Sequence, residues 1–208
     1  LQTRLAEHGQ FVALDPPLPD RASIGGNLAV GTGGPLKWRF GSPRDLVLGL
    51  KIVQSDGTVI KSGGQVVKNV SGYDLVRLHI GALGSLGIIA EVSLRLMPLP
   101  RHEATILAGF DSGRRCLSTG MDIFHSQVMP LALTCFDGLV REGAHVAGAG
   151  GSYFLAARLG GRPRTVERQL HECTSLVQSS GAASVETMDK EDARALWRRL
   201  ADFGWEEG

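Results

Sequence analysis

The chain has 208 residues, 43% of them hydrophobic and 21% charged, with a formal net charge of +1. That length holds one large domain or two small ones, and the composition is that of an ordinary soluble globular protein. No apolar run approaches about 18 residues, which argues against a membrane-spanning helix, and the near-neutral charge gives no reason to expect a nucleic-acid partner.

The chain opens with Leu1, and "LQTRLAEHGQ" reads as the interior of an amphipathic helix stopped by Gly9. With no signal-peptide pattern at the start, this predicts a piece of a longer protein. "LDPPLPD" is a proline-punctuated loop. The next stretch, "ASIGGNLAVGTGGPLKWRFGSPRD", holds six glycines and two prolines and neither the helical nor the strand period. It reads as loop with one helical turn. A hairpin follows: Leu46, Leu48, Leu50 and Ile52 alternate, Asp56-Gly57 turns the chain, and Thr58 to Lys61 are β-prone. "DLVRLHIG" predicts a short helix capped by Asp74 and closed by Gly81. Ala90, Val92, Leu94 and Leu96 alternate with polar residues and predict a half-buried strand ended by Pro98.

The grammar changes after "PLPRHE", which sets a domain boundary between residues 1–100 and 101–208. "ATILAGF" is a strand candidate. Leu117, Met121 and Phe124 share one helical face. "PLALTCF" and "SYFLAARL" are strands. Val166, Leu170, Cys173 and Val177 fall at helical spacing, "AASVET" is a strand, and Ala193, Leu196, Trp197 and Leu200 mark a last helix. The order β-α-β-β-α-β-α begins as a split βαβ, ferredoxin-like unit.

Chemistry-bearing signals concentrate in the first half. Between Arg21 and Pro100 nine basic residues face four acidic ones, and glycine clusters in the same stretch. One cluster is Gly25, Gly26, Gly31, Gly33 and Gly34; the other spaces Gly81, Gly84 and Gly87 three apart. Neither is a phosphate-binding G-x-x-x-x-G-K-[ST] loop nor a dinucleotide G-x-G-x-x-G fingerprint. Three readings stay open on the residues alone: turn chemistry, a backbone nest for an anion, or close approach of the chain to a flat ring system. Cys116, Cys135 and Cys173 are widely spaced and contain no C-x-x-C, so neither a zinc site nor a disulfide framework is expected; a reducing compartment is. The six histidines form no H-x-x-x-H pair, so no metal site is expected. His79 is a candidate proton carrier beside the second glycine cluster. Ser118, Ser126 and the cysteines have no base at readable spacing, and the catalytic residues stay unassigned.

"SIGGNLAVGTGGP", followed by "GSPRDLVLGLKIVQSDGTVIKSGGQVVKNVSGYDLVRLHIGALGSLGIIAEVSLRLMPLP", resembles the second half of the FAD-binding domain of the vanillyl-alcohol-oxidase-type, FAD-linked (PCMH-type) oxidases. Within them, "GGQVVKNVSGYDLVRL" most resembles the FAD-binding E chain of bacterial glycolate oxidase. The match covers about Leu1 to Pro100. It implies an α+β fold: the second half of a PCMH-type FAD-binding domain, then a ferredoxin-like cap that is incomplete. It also implies that FAD lies along the glycine loops. By position, Ser23, Ile24, Gly25, Gly26 and Asn27 would line the pyrophosphate and ribityl region. Gly84, Ser85, Gly87, Ile88 and Ile89 would pass close to the cofactor, and Lys68 would favour its anionic parts. Tyr73 and Asp74 would fix the loop.

The resemblance further implies a 2-hydroxy acid substrate, oxidation to a 2-oxo acid, and an iron–sulfur partner subunit within a complex. Such a complex is expected in the cytoplasm, peripheral to the inner membrane face through its partners. Leu36-Lys37 replaces a basic pair, and Ala82 replaces a serine; each removes a polar contact. The family's first FAD subdomain would precede Leu1, so half of the cofactor cradle is expected outside this chain. A truncated sheet would leave apolar edges, and self-association is expected. An accessory, electron-relay or assembly module that binds no FAD alone is the alternative. A flavin subunit of a molybdenum hydroxylase should lack "VVKNVSGYDL", and an NAD-binding domain should show a Rossmann unit.

Overall fold

The computed structural model describes residues 1–64, 74–143 and 150–205. The chain divides into two compact units, Leu1–Leu99 and Pro100–Gly208.

The first unit starts with α1 (Gln2–Ala6) and β1 (Gln10–Phe11). The Gln2 side chain brackets Val12: its Nε2 donates to the Val12 carbonyl at 2.7 Å and its Oε1 accepts from the Val12 N–H at 3.1 Å. The segment read as loop with one helical turn instead forms three short helices, α2 (Ile24–Val30), α3 (Lys37–Phe40) and α4 (Pro43–Leu46). Their ends explain them. Ser23 caps α2, and Ser42 with Asp45 forms a capping box on α4, with Pro43 in its first turn. Elements of four to seven residues are too short to display a period, so only their caps could have announced them. Between α2 and α3 the carboxylate of Asp15 accepts from the Gly34 and Leu36 amides at 3.0 and 2.7 Å.

Strands β2 (Val47–Val53) and β3 (Val59–Gly63) form the expected hairpin, with Gly57 at φ +83° in its turn. After α5 (Leu75–His79), capped by Asp74, comes β4 (Ile88–Leu94). The sheet order is β3-β2-β4, antiparallel throughout. The register shifts where Lys51 pairs with Glu91 but Ile52 pairs with Ile89. Ala90 is the extra residue of a bulge, which reverses the alternation before it. The core face is therefore Ile89, Val92 and Leu94, packed on Leu28, Val47, Leu50, Ile52, Val76 and Ile80. Ala90, expected on that face, is exposed. A last short strand, β5 (Met97–Pro98), pairs with β1.

The second unit runs β6 (His102–Phe110), α6 (Gly113–His125), β7 (Ala132–Asp137), α7 (Gly138–Gly143), β8 (Tyr153–Gly161), α8 (Pro163–Ser179), β9 (Ser184–Met188) and α9 (Lys190–Asp202). Its antiparallel sheet has the order β7-β8-β6-β9. That is the split βαβ, ferredoxin-like arrangement, with α7 inserted at the β7–β8 connection. The central strands are buried on both faces, which is why "ATILAGF" reads as a continuous apolar run. Ile106, Ala108, Phe110, Leu155, Ala157 and Leu159 meet α6 and α8. The alternate residues Leu107, Phe154 and Ala156 meet Leu196 and Trp197 of α9.

Helix α6 presents a different face to the sheet than its large residues suggest. Leu117, Met121 and Phe124 do share a face, and it is the exposed one. Cys116, Thr119, Gly120 and Ile123 are buried instead. Small residues there let the helix settle close to the strands: a Cβ on Gly120 would stand 3.4 Å from Cys135 Sγ and 3.6 Å from Leu155.

One buried polar bond ties α9 to β6: Trp197 Nε1 donates to Thr105 Oγ1 at 3.0 Å. Trp197→Phe keeps most of the ring and leaves Thr105 unsatisfied. It should cost about 1–2 kcal/mol in guanidinium unfolding; an unchanged midpoint would show that the bond contributes nothing.

Candidate functional site

Helix α2 and the glycine loop between α5 and β4 form one backbone assembly. Ser23 enters α2 in the extended conformation, and its Oγ accepts from the Gly26 amide at 3.0 Å. A Cβ on Gly26 would crowd that hydroxyl at 2.9 Å. Ile24 is partly exposed, while Gly25 faces Ile89 of β4, whose carbonyl oxygen would lie 3.4 Å from an added Cβ. Asn27 is buried. Its Nδ2 donates to Thr32 Oγ1 at 3.0 Å, and its Oδ1 has no hydrogen-bond partner among the described residues.

The C-terminal carbonyls of α2 would be orphans, and Gly31 together with the loop of the second glycine cluster satisfies them. Gly31 N–H donates to Asn27, Gly81 N–H to Leu28 at 3.0 Å, and Leu83 N–H to Ala29 at 2.8 Å. This is possible only because Gly31 (φ +75°) and Gly81 (φ +81°) lie against each other. A Cβ on Gly31 would come within 3.0 Å of the Gly81 Cα. From the other side, an Arg44 guanidinium nitrogen donates to the Ile80 carbonyl at 3.0 Å. The loop is thus strapped to α2 and α4 at its first residues.

Beyond the strap, Gly84 (φ +75°) has open space where a Cβ would be, and Ser85 Oγ donates to the Ala82 carbonyl at 2.7 Å. Gly87 is the opposite case. At φ +139°, a Cβ would stand 2.7 Å from Ile52 Cγ2 and 2.8 Å from the Val53 carbonyl oxygen. Leu83, Leu86 and Ile88 are exposed along this loop.

The structure therefore joins Ser23 to Asn27 with Ile89 through the Gly25 contact. Gly84, Ser85 and Gly87 lie on the continuing loop, and Ile88 begins β4. Lys68 and the Gly72-Tyr73 step lie outside the described residues. His79 has a helical role: it is buried and its Nδ1 meets the Leu75 carbonyl at 2.8 Å. Asp15, Thr32 and the strap formed by Arg44 carry no site signal in the sequence pattern. The carbonyl that Arg44 reaches lies 36 residues away along the chain.

Residues 1–63 match the family model described as "FAD binding domain". The glycolate oxidase subunit GlcD of Bacillus subtilis (strain 168) is 33% identical over 189 residues, covering 88% of this chain and 40% of that protein. A D-lactate dehydrogenase of Anaerostipes hadrus is 30% identical over 205 residues, covering 88% and 42%. The glycolate oxidase subunit GlcE of Escherichia coli (strain K12) is 41% identical over 107 residues, covering 53% and 31%. Alkyldihydroxyacetonephosphate synthase shares the fold, with a TM-score of 0.77 at 16% identity over 97% of this chain and 41% of that one. The chain spans about two fifths or less of the length of these relatives. The FAD-binding match over residues 1–63 and the likeness to glycolate oxidase subunits indicate FAD as the cofactor.

The residues present fit such a cofactor on one side. Bare backbone at Gly84 lies open, and the buried Oδ1 of Asn27 is an acceptor awaiting a donor.

Two substitutions separate the glycines by role. Gly87→Ala should cost about 2–3 kcal/mol, from a strained backbone and a collision with β2, whereas Gly84→Ala should cost only about 1 kcal/mol. Urea midpoints for the pair check this, and equal losses would refute the distinction. The Asp45 carboxyl is held below its ordinary 3.8, first by the hydrogen bond from the Ser42 hydroxyl and then by that from its amide. A depressed pKa stabilises the fold above the unfolded value and is lost as pH falls through it. The small advantage of the natural chain over Asp45→Asn, about 0.5 kcal/mol at this exposed site, should be full at pH 6 and fade below about pH 4 in urea titrations.

Proposed function

We propose that this chain is the second half of the FAD cradle, with its adjoining cap, in a glycolate oxidase-like flavoprotein that oxidises a 2-hydroxy acid to a 2-oxo acid. The observation that carries this reading is the strapped glycine loop. Two glycine-rich segments meet back to back, and past the meeting point the chain offers open backbone at Gly84 beside the exposed Leu83, Leu86 and Ile88. Apolar side chains flanking bare amides suit a ligand that is a flat ring at one end and polar at the other. The similarity to glycolate oxidase subunits and D-lactate dehydrogenases supports the substrate class.

When bound, FAD supplies acceptance of a hydride from C2 of the hydroxy acid while the hydroxyl proton leaves to a base. The residues of this chain bind and orient. Ser23 to Asn27 would hold the pyrophosphate and ribityl region, with Asn27 Oδ1 accepting a hydrogen bond. Gly84 to Ile89 would line the ring system. Electrons would pass to an iron–sulfur partner subunit. The site of action we propose is the cytoplasm, where the three free thiols are stable.

The test uses the full-length protein that contains this chain. It should purify with, or take up, FAD and show the flavin absorption bands. Anaerobic addition of glycolate or D-lactate should bleach them within a turnover. Retained flavin that neither acid bleaches would overturn the catalytic reading in favour of an accessory subunit. A protein that takes up no FAD would overturn the cradle itself.

A further inference from the structure

The second unit contains a thiol pair that the flavin reading leaves unused. Cys116 lies on the buried face of α6 and Cys135 on β7, nineteen residues later, and neither is in a disulfide. Cys135 Sγ donates to the Cys116 carbonyl at 3.6 Å, and both side chains belong to the same core cluster. Gly120, one turn along α6, leaves room for the Cys135 sulfur, since even a Cβ there would come within 3.4 Å of it. Strand β7 is an edge strand, paired only with β8 among the described residues.

We propose that Cys116 and Cys135 are an oxidative modification site, converted by a peroxide-class oxidant into a reversible disulfide that fastens α6 to the edge strand. The chemistry divides between the two sulfurs. The interaction between the two sulfur side chains holds the Cys135 thiol below its ordinary value, while the same interaction and burial push the Cys116 thiol up. Cys135 is also the more exposed of the two. It therefore supplies the thiolate, which is the reactive form.

The Cys135 sulfur attacks a peroxide oxygen. An S–O bond forms, the O–O bond breaks, and water leaves once the second oxygen is protonated. The Cys116 sulfur then attacks the Cys135 sulfur. The S–S bond forms, the S–O bond breaks, and the departing hydroxide leaves as water with the Cys116 proton. Two electrons have passed from the thiols to the peroxide, and a dithiol reductant reverses the change. Cys173 serves as an internal control: it is fully buried, and burial pushes its thiol up to about 12.

The purified protein is exposed to stoichiometric hydrogen peroxide, denatured in excess alkylating agent and mapped by peptide mass. The expected product is a Cys116–Cys135 cross-linked peptide, two hydrogens lighter than its halves and lost on treatment with dithiothreitol, with Cys173 alkylated throughout. The cross-link should raise the thermal midpoint of the natural protein by about 5 °C. Cys135→Ser should abolish both the linked peptide and the shift. Cys135 recovered as sulfinic acid with Cys116 alkylated would overturn the proposal, as would both thiols alkylated after peroxide. The readout needs no flavin, so it stands or falls apart from the cofactor assignment.

Discussion

The near-contact of two backbones at Gly31 and Gly81 governs the arrangement of the first unit. A helix of seven residues ends with carbonyls that nothing within it can satisfy. Here amides from a loop some fifty residues away fill that need at Leu28 and Ala29. Each bond is worth only about 1 kcal/mol net, but leaving the groups buried and unmade costs more, so the loop has one good position. Arg44 adds a charged donor to the Ile80 carbonyl at the start of the same loop. Burial of Leu28 and Ile80 beneath the strap stabilises it further, by about 1.5–3 kcal/mol for each side chain. Hydrophobic burial supplies most of the energy, and the amide–carbonyl pairs set the register.

The second unit solves a different problem. Its two central strands have no solvent face, so neighbouring residues on each strand belong to separate cores. Ile106 and Leu107 are adjacent in sequence and both fully buried, yet they pack on opposite helical layers. The α6 and α8 layer relies on small buried residues for its close approach. The α9 layer relies on Leu196 and on Trp197, whose polar edge requires a hydroxyl from the strand beneath.

How much of this can be read from the sequence depends on the length of each element. Long helices show their period, and α8, α9 and the β2–β3 hairpin stand where the pattern puts them. Short elements do not, and α2, α3 and α4 are hidden among glycines that end helices as readily as they make loops. The bulge at Ala90 defeats simple alternation, because one added residue exchanges the two faces of a strand. In α6 the large residues Leu117, Met121 and Phe124 face outward, because the close approach to the strands at Gly120 sets which face is buried, a constraint imposed by the strands rather than the helix. In the candidate site, glycine spacing announces where backbone comes close. It does not separate Gly87, which is glycine because β2 is in the way, from Gly84, which has nothing near it. The partners of Asp15 and Arg44 are illegible, since both act on backbone groups far along the chain.

The pairing of β1 with β5 also bears on the order of events. Gln10 faces Pro98, and Leu99 N–H donates to the Gly9 carbonyl at 2.8 Å. The seam that closes the first unit joins residues almost ninety positions apart, the costliest kind of closure for a chain that must lose loop entropy before gaining contacts. During synthesis at about 5–20 residues per second, Gln10 waits roughly 5–20 s after leaving the ribosome for its partner. Until then β1 is an unpaired edge, so this strand is the part of the unit that a chaperone or a neighbouring nascent chain has longest to reach.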